Sequence, residues 1–166
     1  TKTTISLESG FYNSPQTATL NSASGAVHYT FDGSEPGANS PSYSTPLAIS
    51  APNKVLRARV IEPGKPMGPV ETRTYLFGEP AHTVPVVSLV ADPNTLFGNQ
   101  IGIYKNTHEP TSSAYGLNDV YKGKDAPATI EFIEPSGALG FRANAGIRIG
   151  GENNWVHPQK ALNIYT

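Results

Sequence analysis

The chain has 166 residues, 37% of them hydrophobic and only 15% charged, with 16 glycines, 15 prolines and a formal net charge of −1. That balance favours short strands joined by tight turns over long helices, and it gives no electrostatic reason to meet nucleic acid or an anionic membrane. The absence of cysteine rules out disulfides and thiolate zinc sites, and no apolar run approaches the roughly 18 residues that span a bilayer as a helix.

Ile5-Ser6-Leu7 reads as a short opening strand, and Ser9-Gly10-Phe11-Tyr12 as the bend after it. Thr17 to Asn21 alternates small polar and apolar residues, as a surface strand does. Val27, Tyr29 and Phe31 then alternate with His28, Thr30 and Asp32, the period-two pattern of a strand with one buried face. The first half of the molecule is organised around this strand. Asp32-Gly33 supplies turn chemistry, a side chain able to bond its own backbone followed by a residue free to take positive φ. Pro36-Gly37 closes the turn, and Tyr43 to Leu47 brings the chain back.

Lys54 to Ile61 is the clearest strand, with Leu56, Ala58 and Val60 on one face and Arg57 and Arg59 on the other. Glu62-Pro63-Gly64-Lys65-Pro66 is a turn, and Val70 to Phe77 alternates again. About six or seven short strands at this spacing predict a small antiparallel, immunoglobulin-like β-sandwich over residues 1–78.

From Gly78 to His82 the chain reads as a linker, after which the texture changes. Val84 to Val90 is nearly continuous apolar sequence, the mark of a strand covered on both faces. Asp92 followed by Pro93 fits the start of a single helical turn. Gly102-Ile103-Tyr104 reads as a strand start, and 105–126 as a long polar loop. Ala128–Ile133, Ala145–Ile149 and Lys160–Tyr165 are further strands, with Pro135-Ser136-Gly137 turning the chain after the first. Residues 79–166 are therefore expected to form a second β-rich domain, an incomplete one, because its last strand runs to Thr166 without a cap.

Few residues carry chemistry. Asp32, Ser34 and Glu35 present oxygens that suit calcium, but crowded into one tight turn they are better read as its scaffold. His28, His82, His108 and His157 lie singly, without metal-ligand spacing. Tyr12, Tyr29, Tyr43 and Tyr75 could stack on sugar rings, although a sandwich of this size needs such side chains for its core. Gly150-Gly151 reads either as a plain turn or as a backbone cradle for phosphate. Trp155, the one tryptophan, falls between two strands and is the best single ligand contact if it is exposed. No catalytic residue and no metal site is expected.

Two stretches resemble known families. Gly10-Phe11-Tyr12, His28-Tyr29-Thr30-Phe31-Asp32-Gly33-Ser34-Glu35-Pro36, Tyr43-Ser44-Thr45-Pro46-Leu47, Arg57-Ala58 and Thr74-Tyr75 resemble the β-sandwich module at the C-terminus of chitobiases and β-hexosaminidases, also called fibronectin-III-associated. That resemblance covers about residues 5–77 and implies an accessory module of secreted proteins with no catalytic role of its own. Val84 to Val90, Leu96-Phe97, Gly102-Ile103-Tyr104, Ala128 to Phe132, Asn144 to Gly151 and His157-Pro158-Gln159-Lys160 are similar to the opening of CotH-type spore-coat proteins, atypical secretory kinases.

The second resemblance implies a phosphotransferase in the longer parent, using ATP and a divalent metal that this fragment does not itself hold. It places Lys160, with Arg148 on a neighbouring strand, at a nucleotide phosphate. The family's metal-binding aspartates would lie beyond Thr166, and Gly151-Glu152-Asn153-Asn154 departs from the Ser or Thr that commonly follows the glycine. The expectation is thus a non-catalytic accessory fragment of a secreted or cell-surface protein, partnered by a downstream domain of its own chain. The alternative is a carbohydrate-binding or adhesion module whose partner is a glycan or a cell-surface protein.

Overall fold

The computed structural model describes residues 1–80, 82–99, 101–104, 125–150 and 159–166. Their strands begin with β1 (Thr3–Ile5), β2 (Gly10–Tyr12), β3 (Gln16–Ala18), β4 (Leu20–Ser22), β5 (Ala26–Thr30), β6 (Leu47–Ile49), β7 (Lys54–Ile61) and β8 (Glu71–Phe77). A four-stranded sheet ordered β2-β8-β7-β5 faces two small pairs, β1-β4 and β3-β6. Between them lies one core of Ile5, Ala18, Leu20, Val27, Leu47, Ile49, Leu56, Ala58, Val60 and Tyr75. The chain is mainly β, and this first part is an immunoglobulin-like sandwich.

The alternation in β7 sets its register. Val60 opposes Val27 and Ala58 opposes Tyr29 on β5, so the apolar residues share the core face, as period-two geometry requires. The other face is not solvent. Arg57 and Arg59 are buried there, as are Thr72 and Thr74 of β8.

Several local expectations give way to tertiary pairing. The opening strand ends at Ile5 instead of Leu7. Of the bend expected over Ser9 to Tyr12, only Ser9 bends. The last three residues pair in parallel with β8, Gly10 opposite Tyr75 and Tyr12 opposite Phe77, so cross-strand contact outweighs the turn preference of Gly10. The strand expected over Thr17–Asn21 breaks at Thr19, whose amide donates to the Ser6 hydroxyl oxygen (2.8 Å) and whose carbonyl accepts from the Ser6 amide (3.0 Å). Ser6 thereby switches the chain from the β3-β6 pair to the β4-β1 pair.

The later strands are β9 (Val86–Ala91), β10 (Ala126–Ile133), β11 (Leu139–Gly150) and β12 (Ala161–Tyr165), ordered β12-β11-β10-β9, and the one helix among the described residues is α1 (Pro93–Phe97). Asp92 caps α1 as expected, its side chain accepting from the Asn94 amide at 2.8 Å. Two readings here are corrected. The apolar run at 84–90 is not covered on both faces, because β9 is an edge strand on which Val87 is exposed, with Val84 exposed just before it. Gly102 to Tyr104 is a turn, since the Ile103 and Tyr104 amides bond back to the Thr95 and Leu96 carbonyls (3.0 and 2.8 Å).

The described residues gather into two compact units, Thr1–Val90 with Ile130–Arg142, and Ala91–Thr129 with Ala143–Thr166. In the first, the hairpin turn after β10 lies against β2. A Cβ on Gly10 would stand 2.5 Å from the Gly137 carbonyl oxygen, so only glycine admits that approach. In the second, β11 and β12 pair antiparallel, Arg148 opposite Asn163 and Gly150 opposite Ala161.

At the end of β7, Glu62 accepts from Lys65 Nζ (2.7 Å), Thr1 Oγ1 (2.8 Å) and Ser24 Oγ (2.9 Å). These donors, Lys65 foremost, hold its carboxyl down to about 2. A carboxylate whose folded pKa is depressed contributes fully above its ordinary value of 4.5 and loses that contribution as pH falls toward 2. Carboxyl carbon NMR should therefore show Glu62 titrating near 2, and Glu62→Gln should flatten the acid limb of urea stability between 4.5 and 2.

Candidate functional site

The turn after β5 uses nearly every polar group in its sequence. Thr30 Oγ1 donates to the Ser34 carbonyl (2.6 Å), while Asp32 Oδ1 accepts from both the amide (3.0 Å) and the hydroxyl (2.5 Å) of Ser34. The Ser34 hydroxyl and amide keep the Asp32 carboxyl below the usual carboxylate range. Gly33 takes φ +83°, a conformation that costs glycine little, and its carbonyl accepts from Arg57 Nη1 at 2.8 Å. Glu35 then spans both buried arginines, Oε2 to Arg59 Nη2 at 2.8 Å and Oε1 to Arg57 Nη2 at 3.7 Å. Asp32 is a turn brace and Glu35 a clamp; among the described residues no cluster of acidic and histidine side chains could hold a metal.

A second polar assembly has no local signature in the sequence. Glu131 is fully buried, and its Oε1 accepts from the Ser9 hydroxyl (2.6 Å) and from Arg142 Nε (2.6 Å). Ser9 Oγ in turn accepts from the Thr74 amide (3.0 Å) and Arg142 Nη2 (2.9 Å). Arg142 also pairs with Glu8, which binds Arg73 Nε at 2.9 Å. Burial would raise the Glu8 carboxyl, but the Arg142 hydrogen bond, the Ser9 amide and the Arg73 charge outweigh it and hold it low. Burial would likewise lower Arg142, and Glu8 and Glu131 reverse that. This network ties the chain before β2 to the β10–β11 hairpin through Glu131 Oε1, while Glu131 Oε2 has no hydrogen-bond partner among the described residues, and its chemistry is structural.

The four tyrosines weighed as sugar platforms go to the core. Tyr75 is wholly inside it, and Tyr12, Tyr29 and Tyr43 pack against its margin. The described rings most open to solvent are Phe97, Phe141, Tyr165 and Phe31. Phe31 lies 5.8 Å from Lys54 Nζ and edge-on to Tyr29. Phe132 and Phe141 stack on the β10–β11 hairpin, centroids 5.4 Å apart and planes at 12°.

Lys160 and Arg148 have separate partners within the second unit. Arg148 Nε donates to Asp125 Oδ1 at 2.8 Å, and its guanidinium lies 5.3 Å from the Tyr165 ring centre. Lys160 stands 5.9 Å from the Tyr104 ring centre, with burial lowering its pKa. It immediately precedes β12, while Arg148 opposes Asn163 three residues further on. Trp155, like Gly151 and His157, lies outside the described residues.

Against known proteins, one stretch is assigned. Residues 7–72 match the chitobiase/beta-hexosaminidase C-terminal domain. The match holds the Asp32 turn, the Glu35 clamp and most of the core, so the residues that carry the resemblance are those that build the sandwich. The comparisons lend no support to a CotH-like continuation over residues 82–166. Neither the curated proteins nor the solved structures yield a match to the chain.

Proposed function

We propose that this chain is a carbohydrate-associated accessory module of a secreted or cell-surface protein, working by binding and presentation. The observation that carries the reading is the match over residues 7–72 to a domain named for chitobiase and β-hexosaminidase. The geometry supports it, because the motif's polar groups are engaged in building the turn and securing the buried arginines. A module of this kind acts through surface rings and hydrogen-bonding groups on a rigid sheet, not through a nucleophile and base.

The test is retention of the whole chain on insoluble polysaccharides. Specific retention on chitin, over cellulose and xylan, is the expected result. Free passage over a broad panel of immobilised glycans would overturn the reading.

A further inference from the structure

The β10–β11 hairpin buries an ion pair and exposes a ring. Its inward side chains include Glu131 and Arg142 along with the buried Ile133, and its outward ones include the stacked Phe132 and Phe141, the latter 47% exposed. Burying charge while exposing a ring pair runs against the ordinary distribution of side chains. The ion pair is held here by Ser9, Glu8 and the Thr74 amide, which partner Glu131 Oε1 and Arg142 directly or through Ser9. The outer rings are therefore mounted on a braced strand pair.

Beside the rings the strand is closely covered. A Cβ on Gly140 would stand 3.1 Å from both Glu134 Oε1 and Phe132 Cδ1, so the bare glycine lets a carboxylate and a ring edge come together over the backbone. We propose that Phe132, Phe141, Glu134 and Gly140 form a sugar-binding subsite for one pyranose residue of a β-linked N-acetylhexosamine chain. This deepens the accessory-module reading and rests on it.

The chemistry favours that occupant. A pyranose offers a C–H face for a flat ring and hydroxyls for a carboxylate acceptor, so both kinds of group are used. Each ring supplies at most about 150–250 Å², far below the roughly 1,200–2,000 Å² buried in a stable protein–protein interface. The neighbouring Pro135, Ser136 and Ala138 are exposed but add little apolar area. A single sugar fits the scale of the patch.

The experiment titrates the whole chain with chitotetraose, using cellotetraose as the control, by calorimetry and by NMR of the phenylalanine ring protons. Wild type should bind chitotetraose with shifts confined to Phe132 and Phe141. Phe141→Leu, which keeps apolar bulk but removes the flat ring, should weaken binding by about tenfold or more at an unchanged melting temperature. Phe141→Tyr should bind like wild type, and Gly140→Ala should weaken binding by pushing the Glu134 carboxylate and the Phe132 ring apart.

Wild-type affinity in both Phe141→Leu and Phe132→Leu would overturn the subsite while leaving the accessory-module reading in place. No binding of chitotetraose by wild type, with retention on chitin intact, would also overturn the subsite alone. Failure of both binding assays would remove the two together. A concentration-dependent dimer in sedimentation that Phe141→Leu abolishes would assign the rings to self-association instead.

Discussion

Arg142→Ala is expected to destabilise the first unit by about 3 kcal/mol, measured as a fall in the urea midpoint at constant slope. The substitution leaves Glu131, fully buried, facing Ser9 alone, and removing one partner of a buried pair strands the other charge in a medium that solvates it poorly. It also removes a guanidinium bond to Glu8, which keeps Arg73. The size of the effect reflects the stranded charge more than the worth of the pair. Replacing both members, Glu131→Leu with Arg142→Met, should therefore recover most of the loss. A double variant as unstable as Arg142→Ala would show that the network's geometry, and not charge balance, holds the hairpin.

Tyr75→Ala should cost about 3–5 kcal/mol, a large share of the roughly 5–15 kcal/mol that keeps a typical domain folded. Tyr75 has no exposed surface, sits edge-on to Tyr12 at 6.0 Å, and donates its hydroxyl to the Leu7 carbonyl at 3.1 Å. Burial first of all holds its phenol well above the ordinary value, so it remains a donor at any pH of interest. Tyr75→Phe keeps the ring and loses only the hydrogen bond, for about 1 kcal/mol. Thermal or denaturant unfolding of the two variants separates packing from hydrogen bonding. Near-equal losses would mean that the Leu7 carbonyl, and not the ring, is what the core requires.

What could be read in advance follows the range of the forces involved. β5, β7 and β8 were legible because alternation over five to eight residues decides which face carries the apolar core, and the structure keeps that decision through Val27, Leu56, Ala58 and Val60, although it buries the arginine face as well. The Asp32-Gly33 turn and the Asp92 cap were legible because a side chain bonding its own backbone two residues on is a local event. β2 was not, because Gly10 looks like a turn residue until Tyr75 and Gly137 come alongside. Val84 to Val90 misled because composition reports apolar character and not position in a sheet. The Glu131 network was invisible, since Glu8 and Ser9 lie more than 120 residues from their partners on the hairpin. At the candidate site, the tyrosines drew attention by number, while Phe132 and Phe141 needed the hairpin to bring them together.

The discontinuity of the first unit also bears on how a nascent chain matures. Everything through Val90 is synthesised before Ile130 is added, and at roughly 5–20 residues per second the interval is on the order of seconds. During that time Ser9, the Thr74 amide and the Glu8–Arg73 pair have no hairpin to cover them. The first eight strands can collapse around Tyr75 early, but the last closure is a long-range one, and such contacts are slow to form. A fragment cut at the end of β8 resembles that early intermediate, whereas one carried through Arg142 includes the piece that seals it.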